Sequence, residues 1–109
     1  MTTYEILKSA VLNKNAVALT YGRHVREVCP HVLGWRDGDE WCLAYQFGGG
    51  SSQPLKRDGD PANWKCLEVA KISGAKIMPN EKWHTTDREP ETETSCVDRV
   101  DVMQPAGRS

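Results

Sequence analysis

Long hydrophobic runs are missing from this 109-residue chain. No stretch of about 18 apolar residues occurs, so no segment is expected to span a membrane. The N-terminus does not show the basic, apolar and small-residue order of a secretory leader, so a cytoplasmic location is expected. A dominant charge is also missing. The 14 basic and 15 acidic residues leave a net charge of −1, so no overall field draws the chain to nucleic acid or anionic lipid. A local basic patch stays open. Close cysteine pairs are lacking too: Cys29, Cys42, Cys66 and Cys96 form no C-x-x-C, so zinc-finger spacing is excluded. The expectation is four reduced thiols. Internal repeats are absent, and the length leaves room for one modest core.

The chain opens with a capping-box spacing, Thr2 and Glu5, followed by Tyr4, Leu7 and Val11 at helical intervals. This predicts a helix over about 3–13. The period then changes to two. Val17, Leu19 and Tyr21 alternate with Ala16, Ala18 and Thr20; Cys29, His31 and Leu33 alternate with Val28, Pro30 and Val32. Trp41, Leu43, Tyr45 and Phe47 alternate with Cys42, Ala44 and Gln46, and shorter segments follow at 66–70 and at 75–78. Arg36-Asp37-Gly38-Asp39 reads as a tight primed hairpin turn, and Pro30 predicts an edge or a bulge. One helix and about five short strands suit a mainly β fold of small-barrel proportions. Residues 1–80 are assigned to this domain. Residues 81–109 form a polar, acidic extension with a possible extra strand at 96–103. His84 within it is expected to be solvated, and the final residues 104–109 loose.

The segment Gly48-Gly49-Gly50-Ser51-Ser52 poses the sharpest question. It is not a P-loop, because Lys56 is misplaced and no helix follows, and it is not a G-x-S-x-G elbow. Two readings remain: a flexible connection, or a backbone lining whose N–H groups and hydroxyls edge a site. A zinc site built from Cys29, His31, Cys42 and Cys66 lacks ligand spacing, and a Cys–His nucleophile would need an exposed, electropositive cysteine. The alternating acids Asp87, Glu89, Glu91 and Glu93 read as a solvated segment. No catalytic residue, metal or cofactor is therefore expected.

One constellation carries a function class. Arg23, His24, Arg26, Lys56, Arg57, Lys65 and Lys71 fall at strand ends and loops, interleaved with Trp41, Tyr45 and Trp64. Cations mixed with aromatics and hydroxyls suit an anionic, base-bearing ligand, held by charge and stacking. A scatter of surface cations is the plain alternative.

The order of residues adds to this. Tyr21-Gly22, Arg26, Pro30-His31-Val32-Leu33-Gly34, Trp41-Cys42-Leu43 and the run Trp64 to Ile72 together resemble the WYL domain family of bacteria over about residues 4–78. Cys42 stands where that family has a tyrosine, Lys65 and Lys71 where arginines are usual, Leu67 where an aromatic is usual, and Glu68 at a frequently basic position. The resemblance implies an N-terminal helix followed by a strongly bent SH3/Sm-like five-stranded barrel. It also implies a non-catalytic sensory module with a regulatory role, binding an anionic small molecule or single-stranded nucleic acid. Tyr21, Arg26, His31, Lys65 and Lys71 are the pocket candidates it implies. Tyr45, Ser51 and Ser52 join them from the loop argument. The alternative function is protein–protein interaction or self-association as a homo-oligomer through an exposed strand edge.

Overall fold

The structure is a computed structural model, and it describes residues 1–51, 54–86 and 96–105. An α-helix, α1 (Thr3–Asn13), begins at a complete capping box. The Thr2 hydroxyl accepts from the Glu5 N–H at 3.1 Å, and the Glu5 carboxylate accepts from the Thr2 N–H at 2.8 Å. Lys14 ends the helix in the left-handed region, φ 54°. Leu7, Ala10 and Val11 are buried, at the three- and four-residue intervals that make one apolar stripe.

Among the described residues six strands follow: β1 (Ala16–Tyr21), β2 (His24–Arg36), β3 (Asp39–Gly49), β4 (Trp64–Glu68), β5 (Ile72–Met78) and β6 (Arg99–Met103). All the pairings are antiparallel, in the order β4-β3-β2-β1-β5, with β6 added to β2. The β2–β3 turn has positive φ at both Asp37 (52°) and Gly38 (85°), the primed geometry that Asp-Gly favours.

β2 is the organising strand. Its first half pairs with β1 as far as Val28, and its second half pairs with β6 from Val32. Pro30 falls between these two partners, and the register with β3 shifts between Pro30 and Val32. The proline thus sits at a bulge where its missing N–H is tolerated, and the strand bends there.

The expected closed five-stranded barrel is corrected: β6, within the 96–103 segment named as a possible extra strand, joins the same sheet as the five, and among the described residues the edges β4 and β5 do not pair, so the sheet is open. β4 bonds to β3 and β5 bonds to β1, and one 3-10 turn, Val69–Lys71, carries the chain from one edge to the other. The sixth strand occupies the half of β2 that the six-residue β1 is too short to cover.

The core lies between α1 and the inner face of the bent sheet: Leu7, Val11, Val17, Leu19, Val28, Leu33, Cys42, Ala44, Leu67, Val69 and Ile72. A smaller cluster on the outer face gathers Val32, Leu43, Cys96 and Val97, with Trp41 and Trp64 against it. Gly34 permits the β6 contact, because a Cβ there would collide with the Arg99 carbonyl and with Val97. The Tyr4 hydroxyl ties α1 to the same strand by donating to Asp101 Oδ2 at 2.7 Å. No helix among the described residues is long and apolar enough to cross a membrane.

Candidate functional site

Strand alternation sorts the candidate residues onto two faces. Leu19 pairs with Arg26, Val28 with Gln46, and Ala44 with Lys65. Leu19, Val28 and Ala44 are core residues, so Arg26, Gln46 and Lys65 belong to the same inner face. Tyr21 shares it, two residues beyond Leu19. Four strands therefore bring Tyr21, Arg26, Gln46 and Lys65 to one end of the inner surface.

Arg26 is the unusual member, with only 8% of its surface exposed. Its guanidinium lies 5.3 Å from the centroid of the Tyr21 ring, and one terminal nitrogen donates to Gln46 Oε1 at 3.4 Å. Its Nε is buried and has no partner. Among the described residues no carboxylate pairs with Arg26 or with Lys65. Burial, and after it the Arg26 charge, hold the Lys65 ammonium below the usual lysine range. The Tyr21 hydroxyl accepts from the Glu68 N–H at 3.1 Å. Lys71 lies close by in sequence but is exposed, and its ammonium is 3.4 Å from Glu68 Oε1.

The glycine segment has a structural answer. Gly48 and Gly49 belong to β3, opposite Glu27 and Arg26. Gly49 has φ 80°, and a Cβ on it would strike the Val25 carbonyl and the Arg26 backbone. The Gln46 amide then fixes the turn, with Nε2 donating to the Gly48 carbonyl at 2.9 Å and the Gly50 carbonyl at 2.8 Å. The Gly50 N–H bonds back to the Val25 carbonyl at 2.9 Å. The glycines let backbone lie flat against β2 beside Arg26, so this part is a strand extension rather than a loose connection. Ser51, partly buried, follows it, and Ser52 lies outside the described residues.

His31 and Tyr45 are elsewhere. Both are buried on the outer face with Trp64, whose ring centroid is 4.6 Å from His31 and 5.6 Å from Tyr45. His31 Nδ1 is 2.7 Å from the Cys29 carbonyl and Nε2 is 2.9 Å from Thr85 Oγ1. The Tyr45 hydroxyl donates to Asp58 Oδ1 at 2.9 Å and accepts from the Gly59 N–H. The expectation of a solvated His84 is overturned. Its ring stacks on Phe47 at 3.9 Å, and its two nitrogens meet Asp58 at 2.9 Å and Glu81 at 2.8 Å. Carboxylates carried by two separate segments hold it against the sheet. The Asp58 carboxyl stays below its usual range, because hydrogen bonds from His84 and Tyr45 outweigh the upward push of burial.

The expectation of four reduced thiols is corrected as well. Cys66 and Cys96 form a disulfide, with Cα atoms 5.7 Å apart, which stitches β4 to the segment leading into β6. Cys29 and Cys42 remain free and buried, and burial pushes both thiols up to about 12, so neither is poised as a nucleophile. Among the described residues no His, Cys, Asp and Glu cluster could hold a metal ion.

Among the described residues, two open clefts lie away from the inner mouth. One of about 430 Å³ is edged by Trp35, Asp37 and Arg99, and one of about 320 Å³ by Tyr4, Glu40 and Val69. Neither involves Arg26 or Lys65. Gln46 was missed by motif reasoning, although one signal was available: a polar residue in the apolar phase of an alternating strand. Comparison with protein-family models, with curated proteins and with solved structures finds no match to this chain.

Proposed function

We propose that this chain is a non-catalytic, WYL-like ligand-binding module that takes an anionic, nucleotide-like or nucleic-acid-like ligand at the inner mouth of its sheet, with a regulatory role. The observation that carries this reading is Arg26. A guanidinium with 8% of its surface exposed, an unpartnered Nε and, among the described residues, no carboxylate within ion-pair distance is under-compensated. A second cation, Lys65, is close enough to feel its charge. A buried guanidinium beside a partly buried ammonium, with no opposing charge paired to either among the described residues, costs stability until an anion arrives. The strand order and the single 3-10 turn between β4 and β5 support an SH3/Sm-like description of the sheet.

A thermal-shift screen with nucleotides, cyclic nucleotides and short oligonucleotides at low and high salt tests the reading. A ligand of the native state raises the melting temperature, and a charge-driven one does so less at high salt. Arg26→Ala should abolish the shift and Lys65→Ala should reduce it. Shifts that persist in both variants would remove the site.

Self-association is the second reading. It is favoured by Val100 (48% exposed) and Met103 (52% exposed) on β6. A mass that rises with protein concentration, with no response to anions, would replace the first reading by the second.

A further inference from the structure

We propose that the inner mouth recognises a compact phosphate-type anion by charge alone, without stacking a base. This rests on the anion-binding reading and narrows its ligand class. The argument comes from the two faces of the sheet. A base-bearing ligand gains about 1–3 kcal/mol for each base stacked on an aromatic ring. The aromatic residues of β3 and β4 are in the wrong place for that. Tyr45 pairs directly with Trp64 on the outer face, and Trp41 shares the Tyr45 phase of β3, opposite to that of Gln46. Tyr45 is fully buried there, and the Trp64 ring is engaged edge-on by His31 and Tyr45.

On the inner side, Tyr21 is the aromatic beside the cations among the described residues, and it is occupied. Its ring carries the Arg26 guanidinium at 5.3 Å, and its hydroxyl holds the Glu68 N–H at 3.1 Å. What the mouth offers is two positive charges on one face, on either side of β3: Arg26, whose guanidinium meets Gln46, and Lys65, which pairs with Ala44 two residues from Gln46. Lys71 adds little, since Glu68 neutralises it at 3.4 Å. Gln46 positions Arg26: its Oε1 faces the guanidinium while its Nε2 is locked by two glycine carbonyls. The matching ligand is small, carries about two negative charges and presents several oxygens to charge-assisted donors. Inorganic phosphates and the terminal phosphates of nucleotides share that chemistry.

Calorimetric titration at constant ionic strength separates the sources, using pyrophosphate, ADP and adenosine on the full chain. The expected result is that pyrophosphate and ADP bind within about threefold of each other and adenosine does not bind, because charge supplies the affinity. Lys65→Met, at a partly exposed position that tolerates a change of head group, should weaken both anions by about tenfold, the order lost with one charge-assisted bond. ADP binding more than tenfold tighter than pyrophosphate would show that the base is held; the charge-only inference would then fail while the anion-binding reading stood. Failure of both anions to bind would overturn both. Equal binding by wild type, Lys65→Met and Arg26→Met would place the anion at another site and would also overturn both.

Discussion

Replacing Arg26 by methionine should make the ligand-free protein no less stable and should make it deaf to anions. The structure sets the magnitude. Arg26 has 8% of its surface exposed and a buried Nε without a partner, and such an unsatisfied donor costs about 1–3 kcal/mol. Methionine keeps most of the volume and removes that cost. Two losses oppose the gain. The cation–π contact with Tyr21 at 5.3 Å is worth about 0.5–1 kcal/mol, and Gln46 Oε1 loses a donor at the long distance of 3.4 Å. The net expectation is a change between zero and about +1 kcal/mol, or up to about 4 °C in melting temperature. With an anion at 100 times its dissociation constant, wild type gains about 2.7 kcal/mol and the variant gains nothing. The two curves therefore cross: the variant leads or ties without anion, and wild type leads with it. Urea unfolding with and without pyrophosphate reads both states. A variant that loses more than about 1 kcal/mol without anion would show that Arg26 is already well compensated by the fold, and the reasoning would fail.

Three further outcomes follow from the structure. Cys66→Ser should cost about 3–4 kcal/mol, because the disulfide closes a 30-residue separation; dithiothreitol should lower wild-type stability similarly and leave the variant unchanged. Gly34→Ala should cost about 1–3 kcal/mol through the collision with the Arg99 carbonyl, and hydrogen exchange should quicken across Arg99–Met103; unchanged protection there would contradict the packing. Asp58 has a folded pKa below its unfolded value, so its contribution is present above about pH 4 and is lost as pH falls through the lower folded value. Asp58→Asn should therefore reduce stability at neutral pH and flatten the acid limb of a stability–pH curve, and an unaltered acid limb would refute the His84–Asp58 pairing.

How far the sequence revealed this molecule depends on the kind of signal. The helix was legible to the residue, because Thr2 and Glu5 form a local capping box and the stripe is periodic. The Asp37-Gly38 turn was legible because its backbone requirement is local. The inner phase of Arg26 was latent in β2, where it stands two residues from Val28. That Lys65 shares this face needed the β3–β4 register, which no local pattern states. Alternation in β2 already set His31, five residues from Arg26, on the opposite face; that Tyr45 faces away as well needed the β2–β3 register, which shifts between Glu27 and Val28. The Cys66–Cys96 bond and the burial of His84 were illegible for a related reason. Both depend on the later, polar part of the chain folding back over the outer face, and composition there suggested solvent.

The most direct test is the pKa of the Lys65 ammonium, followed by NMR in wild type and in Arg26→Met, with and without pyrophosphate. In the folded protein that pKa lies below the usual lysine value, first through burial and then through Arg26. Its charged form is thus penalised at neutral pH, and the penalty is relieved as pH rises through the folded pKa. An anion between the two cations, or the loss of Arg26, must raise it. A rise in both cases is the predicted result. A Lys65 pKa that ignores both pyrophosphate and the Arg26 substitution would contradict the shared cationic mouth.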